Sequence, residues 1–309
     1  MDYNTIIKTR YSNGIFVNSP EKTPDSIDPF VVFKKELKSL EPFFSIVCPI
    51  HNQEIQIAKN IESILNYTSE KPYELILIFD SCSDKTEINV LELFNTYKNK
   101  FPEILVSILC IRSETPLFET SSDNLGFICS RGKYILEIQA DMEMTEPGYN
   151  MSLLRGFTVL RNVLGISGRC CHGLTNPEGI GKLGELIEQP LSPDIEKNIL
   201  YISETCNRGP LLLDALKLKE LGYLDERNYF LDNSDHDLFA RAFAQKGWLC
   251  GYIPMEFKSP LENGSTRKPR NELNSRFYSY KKQVCKENGF LKQYIQSNPN
   301  PRYIVTLHL

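Results

Sequence analysis

The sequence lacks any long hydrophobic run: nowhere in its 309 residues is there a stretch near the roughly 20 apolar residues that cross a bilayer. The opening residues, MDYNTIIKTRYSNG, also lack the basic-then-apolar layout of a secretory leader. A cytoplasmic location with no transmembrane segment is therefore the expectation. None of the nine cysteines forms a Cys-x-x-Cys pair, and adjacent Cys170 and Cys171 beside His172 are poorly spaced as zinc ligands. Reduced thiols fit that pattern. A surplus of positive charge is missing too. With 35 Lys and Arg against 39 Asp and Glu, the net charge of -4 gives no electrostatic reason to expect nucleic acid as a partner. Internal repeats and low-complexity tracts are absent, as is a Gly-Lys-Ser/Thr phosphate loop. The glycines from Gly179 to Gly184 match a dinucleotide fingerprint by letters, but GLTNPE before them is not a strand, so the match is discounted.

What is present is ordinary globular composition, 41% hydrophobic and 24% charged. Residues 1–42 read as an N-terminal extension with short β-like pieces at Thr5–Ile7 and Gly14–Val17 and a proline-rich turn region. From Phe43 the pattern sharpens. FFSIVCPI is a buried strand ending at a proline. Ile57, Ile61, Ile64 and Leu65 then recur at helical spacing. Glu74–Phe79 is a second strand, closed by the turn-rich DSCSDKT. A helix near Glu87–Tyr97, a strand near Leu105–Ile111, a short helix at Asn124–Ser130 and a strand at Tyr134–Ala140 follow. Strands alternating with helices imply an α/β fold, a Rossmann-like, mainly parallel sheet with helices on both faces in a single main domain. Such sheets bind ligands beyond the carboxyl ends of their strands, here Pro49–Asn52, Asp80–Asp84 and Asp141–Glu143. Further on, a helix near Leu212–Leu221 and a clearer one at Asp235–Lys246, stopped by Gly247, precede the strand WLCGYIP. A basic loop, NGSTRKPR, and a helix near Asn271–Asn288 complete the chain.

Four blocks carry the chemistry. They are SIVCPIHNQE; Asp80-Ser81-Cys82-Ser83-Asp84-Lys85-Thr86; Asn124-Leu125-Gly126 leading through Gly132-Lys133-Tyr134 to Gln139-Ala140-Asp141-Met142-Glu143; and Asn233-Ser234-Asp235-His236-Asp237 with Arg241 and Gly247. In order and spacing they resemble the inverting glycosyltransferases of family 2, which have the GT-A fold. The resemblance covers about two thirds of the chain, from Ser45 to about Pro254.

The resemblance implies a glycosyltransferase domain over residues 43–260, with a nucleotide-binding half at 43–149, an acceptor half at 150–260 and a C-terminal loop and helix at 261–309. It implies a sugar nucleotide, a UDP-sugar, as donor and an acceptor hydroxyl on a glycan, protein or small molecule. Pro49, His51 and Asn52 would lie along the uridine, although Asn52 also suits a helix cap. Asp80 would accept the uracil N3–H, while Asp84 and Thr86 suit the local turn. Asn124, Lys133, Gln139 and Ala140 would join the nucleotide site. Asp141 would hold Mn²⁺ or Mg²⁺ together with diphosphate oxygens, and Glu143 could assist. Asp235 would be the catalytic base, with Ser234 and Asp237 suiting a capping box. The chain departs from the pattern at Phe79, at Gln139 where an Asp is usual, and at Ser234 where a Glu is usual. It also has no histidine in MEFKSPLENGSTRK, where Lys258, Arg267 or Lys268 could instead meet the diphosphate. A nucleotidyltransferase and a non-catalytic sugar-nucleotide-binding protein are the alternatives.

Overall fold

The computed structural model describes residues 2–12, 29–98, 100–174, 182–184 and 198–259, with 278–279, 281–283, 285, 289–291 and 303–307 toward the C-terminus. The expected strand at Gly14–Val17, the basic loop with Arg267 and Lys268, and most of the C-terminal helix lie outside these residues.

The chain opens with α1 (Tyr3–Ser12), β1 (Phe30–Glu36), β2 (Phe44–Ile50), α2 (Ile57–Tyr67), β3 (Tyr73–Asp80), α3 (Thr86–Tyr97), β4 (Leu105–Ser113), α4 (Phe118–Cys129) and β5 (Tyr134–Glu137). It continues through β6 (Glu143–Met144), α5 (Tyr149–Val159), β7 (Val163–Ser167), β8 (Cys170–His172), β9 (Lys182–Gly184), β10 (Ile199–Ser203), β11 (Thr205–Cys206) and β12 (Leu211–Asp214). Last come α6 (Ala215–Glu220), α7 (Ser234–Lys246), β13 (Leu249–Tyr252), β14 (Phe257–Lys258) and β15 (Tyr303–Thr306).

Among the described residues ten strands form one sheet, ordered β1-β4-β3-β2-β5-β12-β7-β13-β10-β15. The pairings make β2, β3, β4, β5, β7, β13 and β15 run one way and β1, β10 and β12 the other. The mainly parallel α/β sheet expected from the alternation is thus present, with antiparallel strands at one edge and in the second half. Burial follows the two-residue period of a strand. Ile46, Cys48, Leu75 and Leu77 pack on one face with Ile61 of α2, Val90 of α3 and Leu153 of α5. Val47, Ile76 and Ile78 pack on the other with Ile7 of α1, Leu125 of α4 and Leu238 of α7. Each such fully buried aliphatic side chain contributes about 1.5–3 kcal/mol, which makes these two layers the main source of stability.

Three local expectations are corrected. Thr5–Ile7 is helical, because Tyr3, Ile7 and Tyr11 recur every four residues and bury one face of α1. Leu211–Asp214 is a strand, since it fills the slot between β5 and β7; the helix begins only at Ala215, with the Asp214 carboxylate accepting the Lys217 N–H at 3.0 Å. The strand expected to run to Ala140 stops at Glu137, where the chain turns into a loop. All nine cysteines are described and none is in a disulfide. No described helix is long and apolar enough to cross a membrane.

Candidate active site

The sheet parts at its carboxyl rim. Strand β2 pairs with β3 as far as Ile50↔Phe79 but with β5 only to Val47↔Glu137. The last tie on the β5 side is the Ile138 N–H to the Val47 carbonyl, 2.9 Å. Pro49, which has no N–H, falls just past that point, where no donor is needed. The crevice between these diverging ends is where the polar loops gather.

His51 and Asn52 line its near side. The His51 Nδ1–H donates to the Asp80 backbone carbonyl at 2.7 Å, which fixes that tautomer because a carbonyl only accepts. Asn52 Oδ1 accepts the Ser83 N–H at 2.8 Å, so its side chain ties two rim loops together instead of capping α2. Asp84 and Thr86 close the neighbouring turn: Asp84 Oδ1 accepts the Thr86 N–H at 3.0 Å, and Thr86 Oγ1 accepts the Gln53 N–H at 2.7 Å. Asp80 ends β3 and is buried. Its two oxygens accept the N–H groups of Leu117 at 2.6 Å and Phe118 at 2.8 Å. Burial raises its pKa, opposed by His51, these two N–H groups and Lys281. Asn52, Ser81 and Phe118 all hold positive φ, at 49°, 47° and 62°. Non-glycine residues strained this way concentrate where a loop is shaped for a ligand.

Past β5 the chain folds into a clamped turn. The fully buried Asn60 of α2 donates from Nδ2 to the carbonyls of Gln139 at 3.0 Å and Met142 at 2.7 Å. Gln139, in the place of the usual acid, donates to Glu119 Oε1 at 2.8 Å and accepts from Arg169 Nη1 at 2.6 Å. An ionised acid at this position could only accept, so the amide is what allows both bonds. Ala140 and Asp141 follow at the rim, 6% and 8% exposed. Among the described residues no three His, Cys, Asp or Glu side chains gather as a metal cage. That donor set fits Mg²⁺ or Mn²⁺ shared with a diphosphate, which needs one or two carboxylates, and does not fit a closed structural metal. Glu143 faces Lys258 at 3.5 Å across the β6–β14 pair, so these two charges answer one another.

The third acid, Asp235, opens α7 beside Asn233, whose φ is 65°. Its Oδ1 accepts the His236 N–H at 2.9 Å and its Oδ2 the Arg208 N–H at 3.3 Å. The expected capping box does not form. Ser234 Oγ instead accepts from Thr120 Oγ1 at 3.0 Å, and Asp237 takes Arg241 Nε at 2.7 Å and the Leu291 N–H at 2.9 Å. Arg208, buried just ahead of β12, donates to Asp123 Oδ2 at 2.8 Å and the Leu231 carbonyl at 2.6 Å. Its Nε lies 3.6 Å from Glu119 and 3.9 Å from Asp235. The Gly209 N–H donates to Glu137 Oε2 at 2.6 Å. Burial, opposed by Arg208 and reinforced by Glu119 and Asp235, pushes Asp123 up to about 7. Burial and then Asp123 raise Glu137 well above the usual range. Burial pushes Asp235 up as well, but His236, Arg208 and two backbone N–H donors together hold it below an ordinary carboxylate.

Strand directions therefore bring Pro49, His51, Asn52, Asp80, Gln139, Ala140, Asp141 and Asp235 to one rim. Two expected nucleotide residues are elsewhere. Asn124 is buried in α4 and is spent on the protein: it donates to the Leu224 carbonyl at 2.9 Å and to Glu226, and accepts the Leu224 N–H at 3.0 Å. Lys133 precedes β5, at the amino end of the parallel strands, with its ammonium 5.2 Å from the Tyr134 ring centroid. Sequence reasoning missed Glu119, Asp123, Glu137, Arg169 and Arg208. Two signals were available: Glu119 and Asp123 lie four apart on one helix face, and Glu137 is an acid within the apolar strand YILE.

Comparison with known proteins agrees with this geometry. Residues 45–149 match the family Glycosyl transferase family 2. The chain is 28% identical over 181 residues to the minor teichoic acid biosynthesis protein GgaB of Bacillus subtilis (strain 168), covering 58% of this chain and 19% of that protein. It is 31% identical over 98 residues to the poly(ribitol-phosphate) beta-glucosyltransferase of Bacillus spizizenii, covering 31% of this chain and 14% of that one. The matches thus span less than a fifth of either relative's length. The crystal structure of GalNAc-T7 with UDP, GalNAc and Mn²⁺ superposes with a TM-score of 0.54 at 12% identity, over 84% of this chain and 57% of that one, a likeness of fold. Residues 45–149 are thus similar to glycosyl transferase family 2, and the sheet has the GT-A-like architecture of its structural neighbour.

Proposed function

We propose that this protein is a metal-dependent, inverting glycosyltransferase that moves a sugar from a UDP-sugar to an acceptor hydroxyl. The observation that supports the reading most is the convergence of Asp80, Asp141 and Asp235, from β3, the turn after β5 and the start of α7, on the rim where β2 and β5 part.

In this reading the uracil lies against Asp80, whose carboxylate has lone pairs beyond the two used by the loop and accepts the N3–H. Pro49, His51 and Asn52 flank the uridine. Asp141 would hold Mn²⁺ or Mg²⁺ beside the diphosphate. When bound, the cation supplies charge stabilisation for the departing nucleoside diphosphate. Asp235, kept ionised by its N–H donors and cationic neighbours, accepts the acceptor's hydroxyl proton as that oxygen attacks the anomeric carbon opposite the leaving group. The bond to the diphosphate breaks as the new C–O bond forms, and inversion follows from a single displacement. The name of one relative, a poly(ribitol-phosphate) beta-glucosyltransferase, points to poly(ribitol-phosphate) as the acceptor to assay first.

The test is calorimetric titration of UDP with and without Mn²⁺ into the wild type and Asp141→Asn. The expected result is binding that Mn²⁺ strengthens at least about tenfold in the wild type and no longer strengthens in the variant. Absence of UDP binding in either condition contradicts the donor assignment.

A further inference from the structure

Resting on Asp235 as the base, we propose that Arg208 is the positioning residue of the reaction: it fixes the direction of the Asp235 carboxylate and ties it to the turn that bears Asp141. Its backbone N–H binds Asp235 Oδ2 at 3.3 Å, and its Nε faces the same oxygen at 3.9 Å. The far side of the guanidinium is anchored independently by Asp123 Oδ2 at 2.8 Å and the Leu231 carbonyl at 2.6 Å. The next residue locks the backbone from below. Gly209 has φ +60°, its N–H binds Glu137, and an added Cβ would lie 2.8 Å from Met142 Sδ and 2.9 Å from Gln139 Cγ. Residues 208–209 therefore span from the Gln139–Met142 turn to the base, with no room to slide.

The charges make the arrangement specific to arginine. Asp235 is faced by His236 on its own helix, by Arg208, by Asp123 of α4, by Cys206 of β11, and, through the shared guanidinium, by Glu119 of α4 and Glu137 of β5. A planar fork satisfies Asp123, Leu231 and the Glu119–Asp235 side at once, whereas a lysine ammonium offers one point charge. Arginine here sets both the angle and the ionisation of Asp235.

The experiment follows UDP release from UDP-glucose, UDP-N-acetylglucosamine and UDP-N-acetylgalactosamine with Mn²⁺, in the wild type, Asp235→Asn and Arg208→Lys, with thermal unfolding alongside. For Arg208→Lys the expected result is a kcat lower by about 10- to 100-fold and a donor KM within about threefold of wild type. The acid limb of its pH–rate profile should move up by about one unit, since a cation that favours ionised Asp235 is weakened. A structural role alone leaves that limb in place. Turnover by the wild type, none by Asp235→Asn, and an unchanged limb and kcat in Arg208→Lys overturn the role of Arg208 while sparing the base. No turnover by the wild type overturns the enzymatic reading and this assignment with it. If Arg208→Lys does not fold, Glu119→Gln decides: removing a competitor for the guanidinium must move the acid limb down, and an unmoved limb contradicts the proposal.

Discussion

The carboxylate of Asp80 accepts the backbone N–H of Phe118 at 2.8 Å, and Phe118 holds that place with a φ of 62°. One strand-end acid thus shapes the entry to α4, the helix that supplies Glu119 and Asp123 to the opposite side of the site. The same acid is assigned to the base of the donor, so nucleotide affinity and loop order share a side chain.

Asp80→Asn separates these effects from a simple loss of charge. The amide NH2 must face one of two backbone N–H donors, Leu117 or Phe118. A buried mismatch of that kind costs about 1–3 kcal/mol, which lowers the unfolding midpoint by about 2–4 °C per kcal/mol in a chain of this size. UDP affinity, read by calorimetry, is expected to fall at least about tenfold, the loss of one charge-assisted hydrogen bond. Unchanged UDP affinity contradicts the placement of the base at Asp80.

Gly126 sets the distance between α4 and β2. A Cβ added there would lie 2.3 Å from Val47 Cγ1, in the central strand that leads to Pro49 and His51. Gly126→Ala is expected to lower stability by about 1–3 kcal/mol through overpacking, read by urea unfolding, and to weaken UDP binding as the β2 end is displaced. A variant as stable as wild type contradicts the close approach.

Glu137 gives a pH signature. Burial and Asp123 raise its folded pKa well above the usual value. A raised carboxyl binds its proton more tightly when folded, so its contribution is fully present below the unfolded pKa and is lost as pH rises through the folded one. Asp123, raised to about 7, adds the same trend at neutral pH. The wild type is therefore expected to lose thermal stability more steeply than Glu137→Gln as pH rises above the ordinary carboxylate range, since the variant keeps an oxygen for the Gly209 N–H and has nothing to titrate at that position. Parallel curves for the two proteins contradict a protonated Glu137.

The central strands were readable because burial on both faces turns Ser45–Ile50 and Leu75–Phe79 into continuous apolar runs. The start of α4 was not. Thr120, Ser121, Ser122 and Asp123 are all buried there, so polar letters fill a core face and hide the helical period. LLLDALKLKEL reads as one helix, and only the slot between β5 and β7 makes its first residues a strand. The site divides in the same way. Asp80 and Asp235 were visible as candidates because each stands at the end or start of a legible element, and Asp141 because the strand-like run of β5 continues in the sequence to Ala140. Arg208 was not, because its partners come from α4 and the loop at Leu231, and nothing in its own neighbourhood announces them. Asn124 and Lys133 were misplaced by resemblance alone. The first keeps its letter for packing against Leu224, and the second lies at the wrong end of its strand.

The most direct measurement is the rate of UDP release from the three UDP-sugars with Mn²⁺, compared between the wild type and Asp235→Asn at equal nucleotide saturation. Release by the wild type that falls by about 100-fold or more in a folded variant still binding UDP is the expected result. Equal rates in the two proteins, with UDP bound in both, contradict Asp235 as the base and the single-displacement account built on it.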